Sequence, residues 1–228
     1  MNKPNLDARL LSVAKFVREG AFVCDIGTDH AYLPVYLVLI GRAKRALASD
    51  INKGPVERAK KSVAKYGVSD KIDVILSAGL DGAADYPVTD IIIAGMGGEL
   101  IASILEDAKW TRNEKYRLVL QPMTHPEILR EYLINNGFDI KDEDIVSEKD
   151  GKIYQIICAE FGENKNDYKA DELLLGRHNI RKGGEEFTLL CERTRKINLD
   201  IKAAKEKAGQ PTEAEDGIIA ITEKYINT

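Results

Sequence analysis

The sequence predicts an α/β protein: a doubly wound, mostly parallel sheet of seven strands with one antiparallel strand at the edge, followed by a helical, coiled-coil-like extension. Three observations carry this. Five near-continuous apolar segments alternate with helix-like segments through the first 136 residues, the pattern of a parallel sheet covered on both faces. Two more strand-like segments, "FDIKDEDIV" and "KIYQIICAE", are joined by the turn "SEKDG" instead of a helix, which makes a hairpin. Beyond about residue 160 strand signals stop, and apolar residues recur in steps of three and four.

In order along the chain, Leu10, Val13, Ala14 and Val17 recur at helical spacing, so residues 6–17 form an amphipathic helix ahead of the first strand. The strands that follow are "AFVCDI", "RALASDI", "IDVILS", "DIIIAG" and "RLVLQP", each apolar or β-branched and bounded by Gly, Pro or Asp. Helices are expected between them at residues 34–40, 54–66, 98–108 and 126–136, with Pro55 and Pro126 suited to first turns and Gly67 and Gly137 to helix ends. The polar stretch "FGENKNDYKAD" marks a boundary, giving domains at residues 1–162 and 163–228. Phe187, Leu190, Thr194, Ile197, Ile201, Ala204 and Ala208 then form a heptad seam that "GQP" ends. A second helix over residues 212–226, with Ile218, Ile221, Thr222 and Tyr225 on one side, completes an antiparallel pair that suits dimerisation equally well.

The chain has 228 residues, 44% of them hydrophobic and 31% charged, the balance of a globular protein and not of a disordered one. No apolar run approaches the roughly 20 residues that span a bilayer. The opening "MNKPNLDARL" lacks the apolar core of a signal peptide, so a cytoplasmic protein is expected. A net charge of −4 does not advertise nucleic-acid binding, but basic residues gather locally: Arg42, Lys44 and Arg45; Lys53, Arg58, Lys60, Lys61 and Lys65; Arg177, Arg181 and Lys182. Cys24, Cys158 and Cys191 are far apart and read as small buried hydrophobes, with no metal site expected.

In a doubly wound sheet, ligands bind beyond the C-terminal strand ends where strand order reverses. There the first strand runs into "DIGTDHAYLP", residues 25–34. A dinucleotide loop would carry more glycine than Gly27 alone, and Asp29 would repel a diphosphate. Carboxylates suit a cationic ligand instead, and S-adenosylmethionine carries both a sulfonium and an ammonium. Asp50, 25 positions after Asp25 at the end of the second strand, can hold ribose hydroxyls or else cap the next helix. "SAGLDG" after the third strand can contact the adenine, and "AGMGGEL" follows the fourth, where methyl transfer would occur.

Together "DIGTDHAYLP", "SDINKGP", "IIIAGMGGELI" and "LVLQPMTHPEILREYL" closely resemble the bacterial tRNA (adenine-22-N1)-methyltransferases, over essentially all of residues 1 to about 160. These are class I S-adenosylmethionine enzymes with a Rossmann-like sheet and a helical C-terminal extension. The resemblance implies that Asp25, Gly27, Asp50 and Gly79 hold the cofactor, with Ile51 and Leu80 flanking its adenine; Thr28, His30 and Gly95 join this set. Gly95 to Gly98 would border the transferred methyl. Two positions depart from the pattern: "LDAR" replaces a more basic stretch, and Asp50 stands where Glu is also found. Asp29 and Met96 are the catalytic candidates. Asp29 would stabilise the cation formed at adenine N1 or accept an N6 proton, while His30 orients Asp29 or the cofactor carboxylate. With tRNA as partner and no membrane, Tyr32 and Met96 are candidate base stackers. Arg9, Tyr32, Lys53 and His125 form the substrate set, with the basic residues of 177–196 as further phosphate contacts. The sequence leaves open a monomer or weak homodimer. The rival functions are a small-molecule methyltransferase and a non-catalytic tRNA-binding protein.

Overall fold

The apolar runs form seven strands: β1 (Ala21–Ile26), β2 (Ala43–Asp50), β3 (Ile72–Leu76), β4 (Asp90–Met96), β5 (Arg117–Pro122), β6 (Phe138–Ser147) and β7 (Ile153–Phe161). They make one sheet in the order β3-β2-β1-β4-β5-β7-β6. β1 through β5 pair in parallel, whereas β7 runs antiparallel to both β5 and β6. The hairpin thus closes one edge, with its antiparallel strand next to β5 and β6 outermost. Because the chain leaves β1 toward β3 and returns to β4 on the other side, the order of strand addition reverses between β1 and β4, which remain parallel. That places Gly27 and Gly95 at the ends of neighbouring strands, where a ligand crevice opens.

This computed structural model describes residues 3–162 and 167–226. They fall into two units, Met1–Asp167 and Tyr168–Thr228. The boundary expected after residue 162 falls at residues 163–166, outside the described residues.

In the first unit, helices α1 (Ala8–Phe16), α2 (Tyr32–Leu39), α3 (Lys53–Lys65), α4 (Gly98–Asp107) and α5 (Pro126–Asn135) accompany the sheet. Asp7 caps α1 by accepting from the Leu10 amide at 2.7 Å. α2 starts two residues ahead of Pro34, which sits in the first turn, where a missing N–H costs no intrahelical bond. β1 is buried along its whole length, as a central parallel strand must be. Beneath the hairpin, Arg130 of α5 and Glu143 of β6 are both fully buried and pair at 2.7 Å, and Arg130 also donates to Gln155 Oε1 at 2.6 Å. The three thiols are buried; burial pushes Cys158 up to about 12 and Cys191 to about 11, so neither supplies a thiolate at neutral pH.

In the second unit, α6 (Arg177–Lys182) follows a π-helical turn and precedes α7 (Glu185–Lys207) and α8 (Glu213–Ile226). α6 has six residues, too few to show a helical period in sequence. α7 and α8 pair antiparallel, as expected, but only the start of the seam is apolar contact: Phe187 and Leu190 are buried, while Ile197 and Ile201 are exposed. Farther along, ion pairs join the helices, Arg195 to Glu223, Lys202 to Asp216 and Lys205 to Glu215. Among the described residues no helix is long and apolar enough to cross a membrane.

Candidate active site

The loop after β1 is fastened to the next strand, because the amides of Gly27 and Thr28 both donate to the Ser49 carbonyl, at 2.8 and 3.0 Å. Gly27 has φ 73°, a left-handed backbone that favours glycine, and a Cβ there would have to push aside the flexible Met96 methyl. Asp25 ends up buried, and burial raises its carboxyl to about 6, with Thr28 and the Arg9 guanidinium offsetting part of the rise. Thr28 Oγ1 and Ser49 Oγ are also buried, without a well-formed hydrogen bond among the described residues. A desolvated carboxylate beside the Thr28 hydroxyl, with the Ser49 hydroxyl buried close by, fits a ligand with cationic and polar groups.

Asp50 lies one strand away and accepts from the Asn52 amide at 2.7 Å through one oxygen. Asn52, not Asp50, is the N-cap of α3. The Asp50 carboxylate therefore orders a turn, and its second oxygen suits a diol. Ile51, beside it, is 66% exposed, apolar surface that a flat ring would cover. Gly79 has φ 47°, while Leu80 is only 2% exposed. The Leu80 side chain is core and leaves little surface for the adenine flank expected of it.

The residues after Gly27 are strained. His30 and Ala31 have φ of 63° and 52°, a left-handed backbone costing on the order of 1 kcal/mol each, and such strain clusters at functional sites. The turn presents His30 flat against Tyr32, with ring centroids 5.1 Å apart and planes 14° apart. Asp29 is exposed and held by Arg58, whose Nε and Nη2 donate at 2.9 and 2.8 Å, with His30 Nε2 at 3.7 Å. Lys53 is exposed on the same helix as Arg58.

The loops after β4 and β5 form a single clamp. Met123 N donates to Met96 O at 2.7 Å, and Gly98 N donates to Thr124 O at 2.8 Å. A Cβ on Gly98 would overlap the His125 carbonyl, which is why the loop needs glycine there. His125, in left-handed conformation at the N-cap of α5, is exposed; its Nδ1 lies 3.0 Å from Glu127, whose carboxylate raises the imidazole pKa. Gly95 bulges from β4 with φ 84°.

Arg9, expected at the RNA surface, differs from that expectation. Its side chain is 19% exposed and turned inward, donating from Nη1 to Gln121 Oε1 at 2.7 Å. The structure also brings in residues the motif reading passed over: Arg58 as partner of Asp29, Ser49 under the first loop, and Gln121. The signal for Gln121 was present, a polar side chain following the apolar Leu118–Leu120 within the strand "RLVLQP". In the second unit Arg177 is not a ready phosphate contact, because it pairs with Glu172 at 2.7 Å and lies over the Tyr168 ring.

A reversed parallel sheet whose crevice holds a buried carboxylate, a left-handed glycine and a second carboxylate one strand away defines a class I methyltransferase. Residues 6–157 match the methyltransferase-domain family. The tRNA (adenine(22)-N(1))-methyltransferase of Bacillus subtilis (strain 168) is 42% identical over 176 residues, covering 77% of this chain and 74% of that protein. Among solved structures, the B. subtilis m1A22 tRNA methyltransferase TrmK aligns with TM-score 0.87 and 32% identity over 97% of this chain and 99% of that one. M. capricolum TrmK, solved with S-adenosyl-homocysteine, aligns with TM-score 0.78 and 26% identity over 97% and 98%. The chain belongs to the tRNA (adenine(22)-N(1))-methyltransferase family.

Proposed function

We propose that this protein methylates N1 of adenine 22 in tRNA, using S-adenosylmethionine. The observation that carries this is the pairing of a buried Asp25 beside Gly27 with Asp50 one strand away, in a chain whose B. subtilis relative is named for that reaction. S-adenosylmethionine, when bound, supplies the electrophilic methyl.

Asp25 receives the cofactor's cationic end and Asp50 its ribose, with Thr28, His30, Gly79 and Gly95 completing the contacts and Ile51 covered by the adenine. Adenine N1 has an in-plane lone pair, so the protein's work is to align it and exclude water rather than to remove a proton. Asp29, fixed in place by Arg58, stabilises the positive charge that develops on the base. An adenine inside a folded tRNA arm must turn out to react. The stacked His30–Tyr32 pair offers it a platform, and Met96 borders it from the clamp. Lys53 and the neighbouring lysines of α3, together with His125, receive phosphates. Residues 1–162 form the transferring domain and 163–228 a helical one that adds RNA contacts, in a cytoplasmic monomer or weak homodimer.

Incubating the protein with S-adenosylmethionine and unmodified tRNA, followed by nucleoside mass spectrometry, tests this. The expected product is 1-methyladenosine. Finding N6-methyladenosine instead, or transfer only to small molecules, would overturn it.

A further inference from the structure

Gln121, next to last in β5, has no exposed surface, and its carboxamide is used on every side. Oε1 accepts from Arg9 Nη1 at 2.7 Å and from the Gly95 amide at 3.1 Å. Nε2 donates to Pro122 O at 2.8 Å and points at Met123 Sδ, 3.6 Å away. A primary amide has two acceptor and two donor positions, and both neighbours of Oε1 can only donate, so the amide orientation is fixed by chemistry.

Each partner has its own need of this side chain. Gly95 is the bulged residue where the β4–β5 register shifts, so its amide falls out of the ladder and requires another acceptor. Arg9 is also held by its backbone, which donates to Glu148 at 3.0 Å, by an ion pair of Nη2 with Asp7 at 3.6 Å and by the Tyr154 ring at 5.7 Å; its guanidinium acts on Asp25. One buried amide therefore ties three things together: the loop that borders the transferred methyl, the cation beside the cofactor carboxylate, and the start of the β5–α5 loop clamped to Met96.

We infer that Gln121 is a positioning residue for methyl transfer, setting the Gly95–Met96 turn and the Arg9 guanidinium relative to each other. This rests on the proposed function for its consequence but not for its geometry. Misplacing reacting groups by about 1 Å costs on the order of 10²-fold in rate. Gln121→Asn keeps an amide but is one methylene too short to reach both donors. It should slow single-turnover methylation at saturating cofactor and tRNA by about 10²-fold, with cofactor affinity within about threefold of the unaltered protein. Gln121→Glu, which keeps the acceptor toward Arg9 and Gly95, should be the faster of the two. Arg9→Ala combined with Gln121→Asn should be no slower than the slower single variant, because both break one unit. A full single-turnover rate in folded Gln121→Asn, a loss explained by cofactor affinity alone, or losses that multiply would each overturn the inference. A second readout does not depend on substrate: exchange protection of the Gly95 amide, followed by NMR, should fall at least about tenfold in Gln121→Asn. Unchanged protection would overturn the inference even in a chain that methylates nothing, whereas lost protection in such a chain would uphold the placement and fail only the proposed function.

Discussion

Gly98 meets His125 backbone to backbone, so that a Cβ on Gly98 would overlap the His125 carbonyl oxygen. This contact and two flanking hydrogen bonds tie the loops after β4 and β5 together. Gly98→Ala should cost about 1–3 kcal/mol by overpacking and lower the methylation rate more than the folded fraction. Urea unfolding with a parallel rate measurement checks this; a stable, fully active Gly98→Ala protein would contradict it.

Asp50 should matter more to the cofactor than to the fold, where its loss removes one turn bond to the Asn52 amide. Asp50→Ala removes the proposed ribose acceptor and is expected to weaken cofactor binding by roughly 1.5–3 kcal/mol, the range for a hydrogen bond to a charged group. Calorimetric titration of the folded variant measures it, and an unchanged dissociation constant would remove Asp50 from the site.

Asp25 gives opposite pH signatures for stability and binding. Its carboxyl is raised by burial from the ordinary 3.8 to about 6. Above pH 6 it is charged in both folded and unfolded chains, and the folded state bears a cost on the order of 2–3 kcal/mol. As pH falls from about 6 toward 4, only the folded state takes up the proton, so this group raises the stability of the ligand-free protein. A cationic ligand needs the carboxylate, so affinity for it should fall below about pH 6, approaching tenfold per unit. Asp25→Asn should flatten both profiles, as thermal unfolding and calorimetry across pH would show.

Asp29 is exposed and already paired with Arg58, so its removal should cost the fold no more than about 1 kcal/mol. Asp29→Asn should slow single-turnover methylation by about 10²-fold at saturation, the scale of a lost electrostatic partner. A near-normal saturated rate with a raised cofactor dissociation constant would move Asp29 from the chemistry to cofactor binding.

The Arg130–Glu143 pair is structural. Glu143→Ala leaves a guanidinium buried with one partner fewer and should lose about 3–5 kcal/mol, read by urea denaturation, without a specific effect on cofactor affinity.

The strands and the helices between them were legible because each is long enough to show its period and is bounded by Gly, Pro or Asp. The two carboxylates of the proposed site were legible for a related reason, since Asp25 and Asp50 lie at the ends of strands that the apolar runs mark. Side-chain direction was not legible. Arg9 looks like a surface cation in sequence, yet Gln121 turns it inward from 112 positions away. Leu80 follows the third strand as expected but packs into the core, because a loop residue's facing depends on turn geometry that spacing does not encode. The seam of α7 misled for a similar reason: three- and four-residue steps mark a face, but Ile197 and Ile201 lie outside the ion-paired contact with α8.

This chain is expected to modify one adenine, the position for which its B. subtilis relative is named. The most direct measurement is primer extension across two tRNA transcripts treated with protein and S-adenosylmethionine, one unaltered and one with guanine at position 22. A methyl on N1 blocks pairing, so the account predicts a cofactor-dependent stop at position 22 in the first and none in the second. An equal stop in both transcripts, or one at another position, would contradict it.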